Sequence, residues 1–351
     1  MRILACTHNL GMNGAALYLA DALIHFKAMG AEVTVMCQGQ HALTSRLQDH
    51  GIEFRAQTDS RHHDVALGNT IYAADSMNRL APYLPVVFWI HEGLCVLNSP
   101  ADMAPVQHAL GVSSRVVFQV PWQTDIVYRS LLLNTQPHRV CHAQQGIDHF
   151  TPVGRPARDT QPHVLFAGGI FPNKRPMDLA AAVLSLTDMP MKCTMAGSLE
   201  WVGLNGPEFM QLVNSRPDLI RLEGEVTDHN DMQNLFAKAN LFCLPSSDEC
   251  FPRSILEAAS AGLPLALSDI PCHKGIWEHG VNALLSPPGA VDMLHWNLRA
   301  LASDTVLADR LSRAAHAVAS RFSKQRFLNT MTRILEDAIR DPLNPARREP
   351  L

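Results

Sequence analysis

The sequence predicts an α/β protein: two Rossmann-like, doubly wound parallel-sheet domains facing each other across a cleft. Three observations carry this. The chain has 351 residues, too long for one ordinary core and suited to two. Short buried apolar runs alternate with helical patterns in both halves. A polar, proline-bearing break separates the halves, and the alternation restarts after it.

In the first half, Arg2–Cys6 reads as a strand and Ala15–Met29 as a helix, with Leu17, Ala20, Leu23 and Ile24 near helical spacing. Glu32–Met36 is the next strand, Ser45–His50 a short helix, and Val65–Leu67, Val86–Ile90 and Val116–Val120 are further buried strands. This first domain is expected to span residues 1–150. Residues 151–162 hold three prolines, a glycine and two arginines without an apolar period, and read as a linker. The second domain, 163–320, repeats the pattern: strands at Val164–Ala167, Lys192–Met195, Leu241–Leu244 and Leu265–Leu267, helices at Met177–Ser185, Met232–Ala239 and Ser254–Ala261. Residues 321–351 carry an amphipathic helix, with Phe327, Met331, Ile334, Leu335 and Ala338 on one face, ended by Pro342 and Pro345.

Composition narrows the function classes. Hydrophobic residues make up 47% and charged residues 18%, the formal net charge is −4, and no Lys/Arg run occurs, which argues against a nucleic-acid partner. Nor does the first half carry a basic patch to support a peripheral membrane contact. The eight cysteines are scattered without a C-x-x-C pair, as expected of free thiols in a reducing compartment, and offer no thiolate metal site. No signal-peptide pattern precedes the first strand and no apolar stretch is long enough to span a bilayer, so a cytoplasmic location is expected.

The strongest chemical signal is Pro245-Ser246-Ser247-Asp248-Glu249-Cys250-Phe251-Pro252-Arg253-Ser254-Ile255-Leu256-Glu257. A buried strand ends, a loop carries Glu249, and a helix opens near Ser254, placing Glu257 in its first turn. The open N–H groups of that helix start suit a phosphate. A carboxylate packed among Ile255, Leu256, Ala258 and Ala259 needs a partner, and ligand hydroxyls would serve. The ordinary alternative is a carboxylate favoured by the helix dipole. Spacing alone decides nothing, since Glu200 and Glu208 share it without that context.

A second signal is Gly168-Gly169-Ile170-Phe171-Pro172-Asn173-Lys174-Arg175, where a strand enters a glycine turn and two cations precede a helix. A cation at a helix start gains nothing from the dipole and needs an anion. The alternative is a solvated Lys-Arg pair. In the first half, the loop Gly11-Met12-Asn13-Gly14 lies between strand and helix. Its G-x-x-G spacing, with no acidic residue ending the next strand, departs from a dinucleotide fingerprint. His91 follows a buried strand. No D-x-D pattern indicates a metal-bridged diphosphate, so no metal and no cofactor are expected.

These residues resemble the retaining family-4 glycosyltransferases of the GT-B fold. The resemblance spans most of the chain and is strongest from Val164 to about Pro288, where Pro245–Pro264 is similar to the family's E-x7-E signature. Gly11–Gly14, His91, Gln145-Gly146-Ile147-Asp148, Ala196-Gly197-Ser198 and Glu223-Gly224-Glu225-Val226 are weaker echoes. The resemblance implies a metal-independent hexosyltransferase acting in glycan or glycoconjugate biosynthesis. It takes a hexose-type sugar from a UDP- or GDP-sugar to an acceptor that is a saccharide, a lipid-linked glycan or a small molecule. It implies that His91, Glu249 and Lys174 are catalytic. Donor contacts then come from Gly14, Gly169, Lys174, Arg175, Val226, Glu249, Cys250, Phe251, Arg253, Ser254, Ile255 and Glu257, with Glu257 on the ribose, Lys174 on the diphosphate and Glu249 on the sugar. It also implies that the last helix crosses back to the first domain. Two departures bear on the site. Ile170 stands where the family often has Arg, which leaves Arg175 or Arg253 to replace that cation. Pro252 stands where it usually has Gly and cannot donate an N–H. An epimerase-like enzyme on the same fold and a non-catalytic nucleotide-sugar-binding relative are the alternatives.

Overall fold

A computed structural model describes residues 1–39, 41–56, 60–94, 103–153, 161–199 and 206–341. Most of the expected linker, Glu200 and the prolines after Asp341 lie outside the described residues. The chain forms two compact units, Met1–Gly146 together with the segment from Lys324, and Ile147–Ser323. The crossings at Gly146 and Ser323 run side by side, with the Ile147 N–H donating to the Phe322 carbonyl at 3.1 Å.

In the first unit the elements are β1 (Arg2–Thr7), α1 (Gly14–Ala28), β2 (Glu32–Met36), α2 (Thr44–Asp49), β3 (Glu53–Phe54), β4 (Val65–Asn69), α3 (Ala74–Leu80), β5 (Val86–Trp89), α4 (Ala104–Val112), β6 (Arg115–Phe118) and β7 (Val140–His142). In the second they are β8 (His163–Ala167), α5 (Pro176–Ser185), β9 (Lys192–Ala196), α6 (Gly206–Ser215), β10 (Ile220–Gly224), α7 (His229–Lys238), β11 (Leu241–Leu244), α8 (Arg253–Ser260), β12 (Leu265–Ser268), β13 (Leu284–Ser286), α9 (Val291–Ser303) and α10 (Thr305–Ala319). The last helix, α11 (Lys324–Arg340), belongs to the first unit.

Each unit is one parallel, doubly wound sheet. The strand order is β3-β2-β1-β4-β5-β6-β7 in the first and β10-β9-β8-β11-β12-β13 in the second. All pairings are parallel, so helices must cover both faces and the strands read as continuous apolar runs. Val164, Leu165, Phe166, Leu241, Phe242 and Cys243 are fully buried for this reason. The strand order reverses between β1 and β4 and again between β8 and β11. At such switch points the loops leaving the strands diverge and open a crevice. The edge strands β3, β7 and β13 have two or three residues, too few to show a period in sequence.

Helix α11 buries Phe327, Leu328, Met331, Ile334, Leu335 and Ala338 in the core that holds β1 and β5. The Phe327 ring lies 5.6 Å from both Tyr18 and Trp89. Ion pairs Lys324–Asp21 (3.2 Å) and Arg115–Asp341 (2.7 Å) fasten its two ends. Among the described residues, no helix is long and apolar enough to cross a membrane.

Candidate functional site

The site grows from the switch point of the second unit. After β8 the chain passes Gly168 and Gly169. The Gly168 N–H bonds to the Ala196 carbonyl (2.9 Å), Ile170 N–H to Ser198 (2.8 Å) and Gly197 N–H to Gly224 (2.7 Å), so the loops after β8, β9 and β10 hang on one another. Glycine is required at 197. Its φ is +153°, and a Cβ there would lie 1.9 Å from the Gly168 carbonyl oxygen. Gly169, expected at the donor, has a packing reason too: a Cβ would come within 2.1 Å of the Phe171 ring. Ile170 is wholly buried. Val226, expected at the donor base, is half-buried two residues beyond β10.

A 3-10 turn, Pro172–Lys174, then brings Lys174 beside the loop after β11. The Asn173 carbonyl accepts from the Ser247 N–H (2.7 Å) and hydroxyl (3.2 Å), stitching the two loops. Lys174 forms an ion pair with Glu249, whose Oε1 also accepts from the buried Ser246 hydroxyl at 2.7 Å. The Glu249 side chain is 8% exposed and that of Lys174 19%, so the pair is largely shielded from water. The family resemblance implies a diphosphate for Lys174 and a sugar for Glu249. Without a ligand, each is the other's partner, because the switch point closes the two loops together.

The structure changes two further expectations. Helix α8 begins at Arg253, so Glu257 is its fifth residue, one turn in, and not in the first turn. Nor does Glu257 wait for hydroxyls. Arg253 Nε donates to its Oε1 at 2.6 Å across the i,i+4 step. Arg175 is held elsewhere: in the left-handed region (φ +50°), it bonds Asp178 with Nε at 2.5 Å and Nη2 at 3.2 Å. A Cβ at Gly289 would come within 3.1 Å of that guanidinium, so the glycine makes room for it.

The start of α8 offers backbone. Its N-cap is Pro252, which makes no side-chain cap, and the first-turn N–H groups have no intrahelical acceptor. The Ile255 side chain is fully buried, Cys250 and Phe251 nearly so, and the Phe251 ring packs 5.4 Å from Phe322. Those side chains hold the loop in place and leave backbone for a ligand. Ser254 is half-buried at the helix start.

His273 was not anticipated. It is 2% exposed in the turn after β12, and its Nδ1 bonds the Ser268 carbonyl at 2.8 Å. Burial lowers its pKa, while the fields of Glu249 and Lys174 oppose each other there. The only sequence signal was a histidine following a buried strand end, the feature that singled out His91.

In the first unit, His91 follows β5 and its ring lies 4.4 Å from that of Trp89. The amide nitrogens of Gln119 (2.8 Å) and Gln145 (3.1 Å) approach its Nδ1. Amide nitrogens donate, so Nδ1 accepts and the proton sits on Nε2, which has no partner among the described residues. Burial pushes the imidazole pKa down to about 3. Neighbouring Glu92, its pKa raised by burial, accepts from the N–H groups of His91 (3.1 Å) and Ile71 (3.4 Å). Gly14 is the first residue of α1, exposed, behind an Asn13 cap whose side chain accepts from Ala16 at 3.0 Å. Among the described residues, no three His, Cys, Asp or Glu side chains could together hold a metal ion.

Comparison with known proteins bears on the fold and on the second unit. Residues 151–318 match the family model described as Glycosyl transferases group 1. An alpha-galactosylglucosyldiacylglycerol synthase of Streptococcus pneumoniae is 31% identical over 134 residues, 38% of this chain and 35% of that protein. A D-inositol 3-phosphate glycosyltransferase of Mycobacterium avium is 28% identical over 217 residues, 58% and 50%. The chain thus spans half or less of the length of these curated relatives. Among solved structures, Anabaena Alr3699/HepE in complex with UDP-glucose superposes with a TM-score of 0.76 at 18% identity, covering 95% of this chain and all of that one. The sucrose-phosphate synthase of Thermosynechococcus elongatus gives 0.77 at 14% identity, covering 96% and 98%. The chain has the GT-B fold of these structures, and its residues 151–318 match the Glycosyl transferases group 1 model.

Proposed function

We propose that the protein is a retaining, metal-independent glycosyltransferase that takes a hexose from a UDP- or GDP-sugar. The observation that carries the reading is the convergence at one switch point of Lys174, Glu249, Arg253 and Glu257 with a helix start that lacks a side-chain cap. The second-domain match and a solved structure of the same fold holding UDP-glucose support it.

On this reading the leaving diphosphate lies against the first turn of α8. Lys174 and Arg253 take up its charge, the electrostatic stabilisation that departure of a diphosphate requires. Glu257 accepts from the ribose hydroxyls and Glu249 from those of the sugar. The leaving phosphate helps to deprotonate the acceptor hydroxyl. Fixed cations and backbone N–H groups take the place of a bridging metal.

The test is calorimetry with UDP and GDP, joined to donor turnover in excess chelator. Lys174→Ala and Glu257→Ala are each expected to weaken binding of the preferred nucleotide about tenfold or more, with wild-type turnover unchanged in chelator. Undiminished affinity in both variants removes the site assignment, and complete loss of turnover in chelator removes the metal-free mechanism. Inversion at the anomeric carbon of the product, read by proton NMR, removes retention.

A further inference from the structure

We propose that Glu249 and Glu257 are built-in competitors for the cations of the diphosphate site, so that donor binding is an exchange of partners and product departure is its reversal. The inference rests on the reading of Lys174 and Arg253 as diphosphate ligands.

The cations that the sequence offers to a diphosphate at this switch point are all engaged. Lys174 is paired with Glu249, Arg253 with Glu257 at 2.6 Å, and Arg175 with Asp178 at 2.5 Å. The third pair is different in kind. It is two-pronged, closes within one turn at the start of α5, and has Gly289 shaped around it. A planar fork held at both prongs is a structural tie. The first two pairs have no such two-pronged closure on one carboxylate, and their carboxylates are 8% and 14% exposed. Each pair sums to zero charge, so the cluster as it stands gives a diphosphate little Coulombic attraction.

A diphosphate alone could turn Lys174 and Arg253 toward itself only by leaving two shielded carboxylates beside a polyanion. Both the lost partner and the like-charge proximity are unfavourable. A complete nucleotide sugar carries the remedy: its ribose hydroxyls can donate to Glu257 and its sugar hydroxyls to Glu249. The carboxylates thus exchange a cation for hydroxyl donors, and the cations exchange a carboxylate for phosphate oxygens. Once the sugar has left, Glu249 has no sugar hydroxyl to accept from, and re-forming its pair with Lys174 loosens the remaining diphosphate. The Ser246 hydroxyl holds Glu249 in position throughout, and the Asn173–Ser247 stitch keeps the Lys174 loop within reach. The arrangement therefore favours the sugar-bearing donor over its own product.

Calorimetry with inorganic pyrophosphate, UDP and GDP on the full chain tests this. Glu249→Gln is near-isosteric and frees Lys174, and is expected to tighten pyrophosphate binding about tenfold. Glu257→Gln is expected to move two probes in opposite directions: pyrophosphate binds more tightly because the charge of Arg253 is no longer offset by Glu257, and the preferred nucleoside diphosphate more weakly because the ribose partner is lost. In a Lys174→Ala background the gain from Glu249→Gln should vanish. Unchanged or weaker pyrophosphate binding by Glu249→Gln overturns the exchange, provided the variant melts like wild type. A variant that fails to fold passes the decision to the opposed shifts of Glu257→Gln, whose absence overturns it equally. Wild-type protein that binds neither UDP nor GDP removes the UDP- or GDP-sugar reading itself, whereas normal nucleotide binding without a gain from Glu249→Gln removes the exchange alone.

Discussion

At the scale of the residue, His91 shows how burial turns a common side chain into a poised one. Two glutamine amides hold Nδ1, and the imidazole pKa falls to about 3 from 6.5. A histidine kept neutral in the folded state stabilises fully above its unfolded pKa. Its contribution is lost as pH falls below 6.5, where only the unfolded chain takes up the proton. Glu92 next to it acts in the opposite sense, because burial raises its pKa and acid relieves that penalty. The informative quantity is therefore the difference between wild type and His91→Gln. The variant is expected to bind about one proton fewer on unfolding at pH 5, so its urea midpoint should fall less than that of wild type between pH 7 and pH 5. Equal falls would show that His91 is already protonated in the native protein. The sequence marked His91 by its place after a buried strand. It could not mark Gln119 and Gln145, which follow other strands and reach the same ring only through the order β5-β6-β7.

At the scale of the element, the loops at the second switch point act as one piece because three glycines let them touch. Alanine at 197 would place a carbon 1.9 Å from a backbone oxygen and force a side chain into a positive-φ conformation. Gly197→Ala is expected to destabilise the protein by about 1–3 kcal/mol of backbone strain. It should also weaken UDP or GDP binding, since the displaced carbonyl belongs to the loop that carries Lys174. A thermal melt with and without nucleotide measures both, and a variant with wild-type melting would show that the loops are free to part. The sequence signalled this region well where local chemistry was enough. A buried strand, a loop acid and a helix start are all visible in Leu241–Glu257, and the structure has β11 and α8 there. The pairing of Lys174 with Glu249 was not visible. The two are 75 positions apart, and they meet because β8 and β11 are neighbours across the reversal of strand order. Nor could periodicity show α8 starting one residue earlier than read, which set Glu257 one residue deeper, past the first turn, and gave it Arg253 as a partner.

At the scale of the molecule, the chain leaves its first unit at Gly146 and re-enters it at Lys324, so the first unit is finished only when the last helix is made. The amphipathic stripe at Phe327–Ala338 announced a surface in need of cover, and the cover is the core around Tyr18 and Trp89. Phe327 is 1% exposed between those two rings, and its truncation removes an aromatic pair from each side. Phe327→Ala is expected to cost about 3–5 kcal/mol, a large part of the stability of a typical domain. The cost should fall on the first unit. The proposed nucleotide site lies in the second, and a ligand stabilises only the unit whose folded form it binds. In calorimetric unfolding, Phe327→Ala should therefore separate a lowered transition that does not respond to UDP or GDP from a later one that nucleotide raises. If nucleotide raised both transitions together, or if Phe327→Ala lowered a single transition still fully protected by nucleotide, the two units would unfold as one body and the return of α11 would bind them into a single cooperative structure.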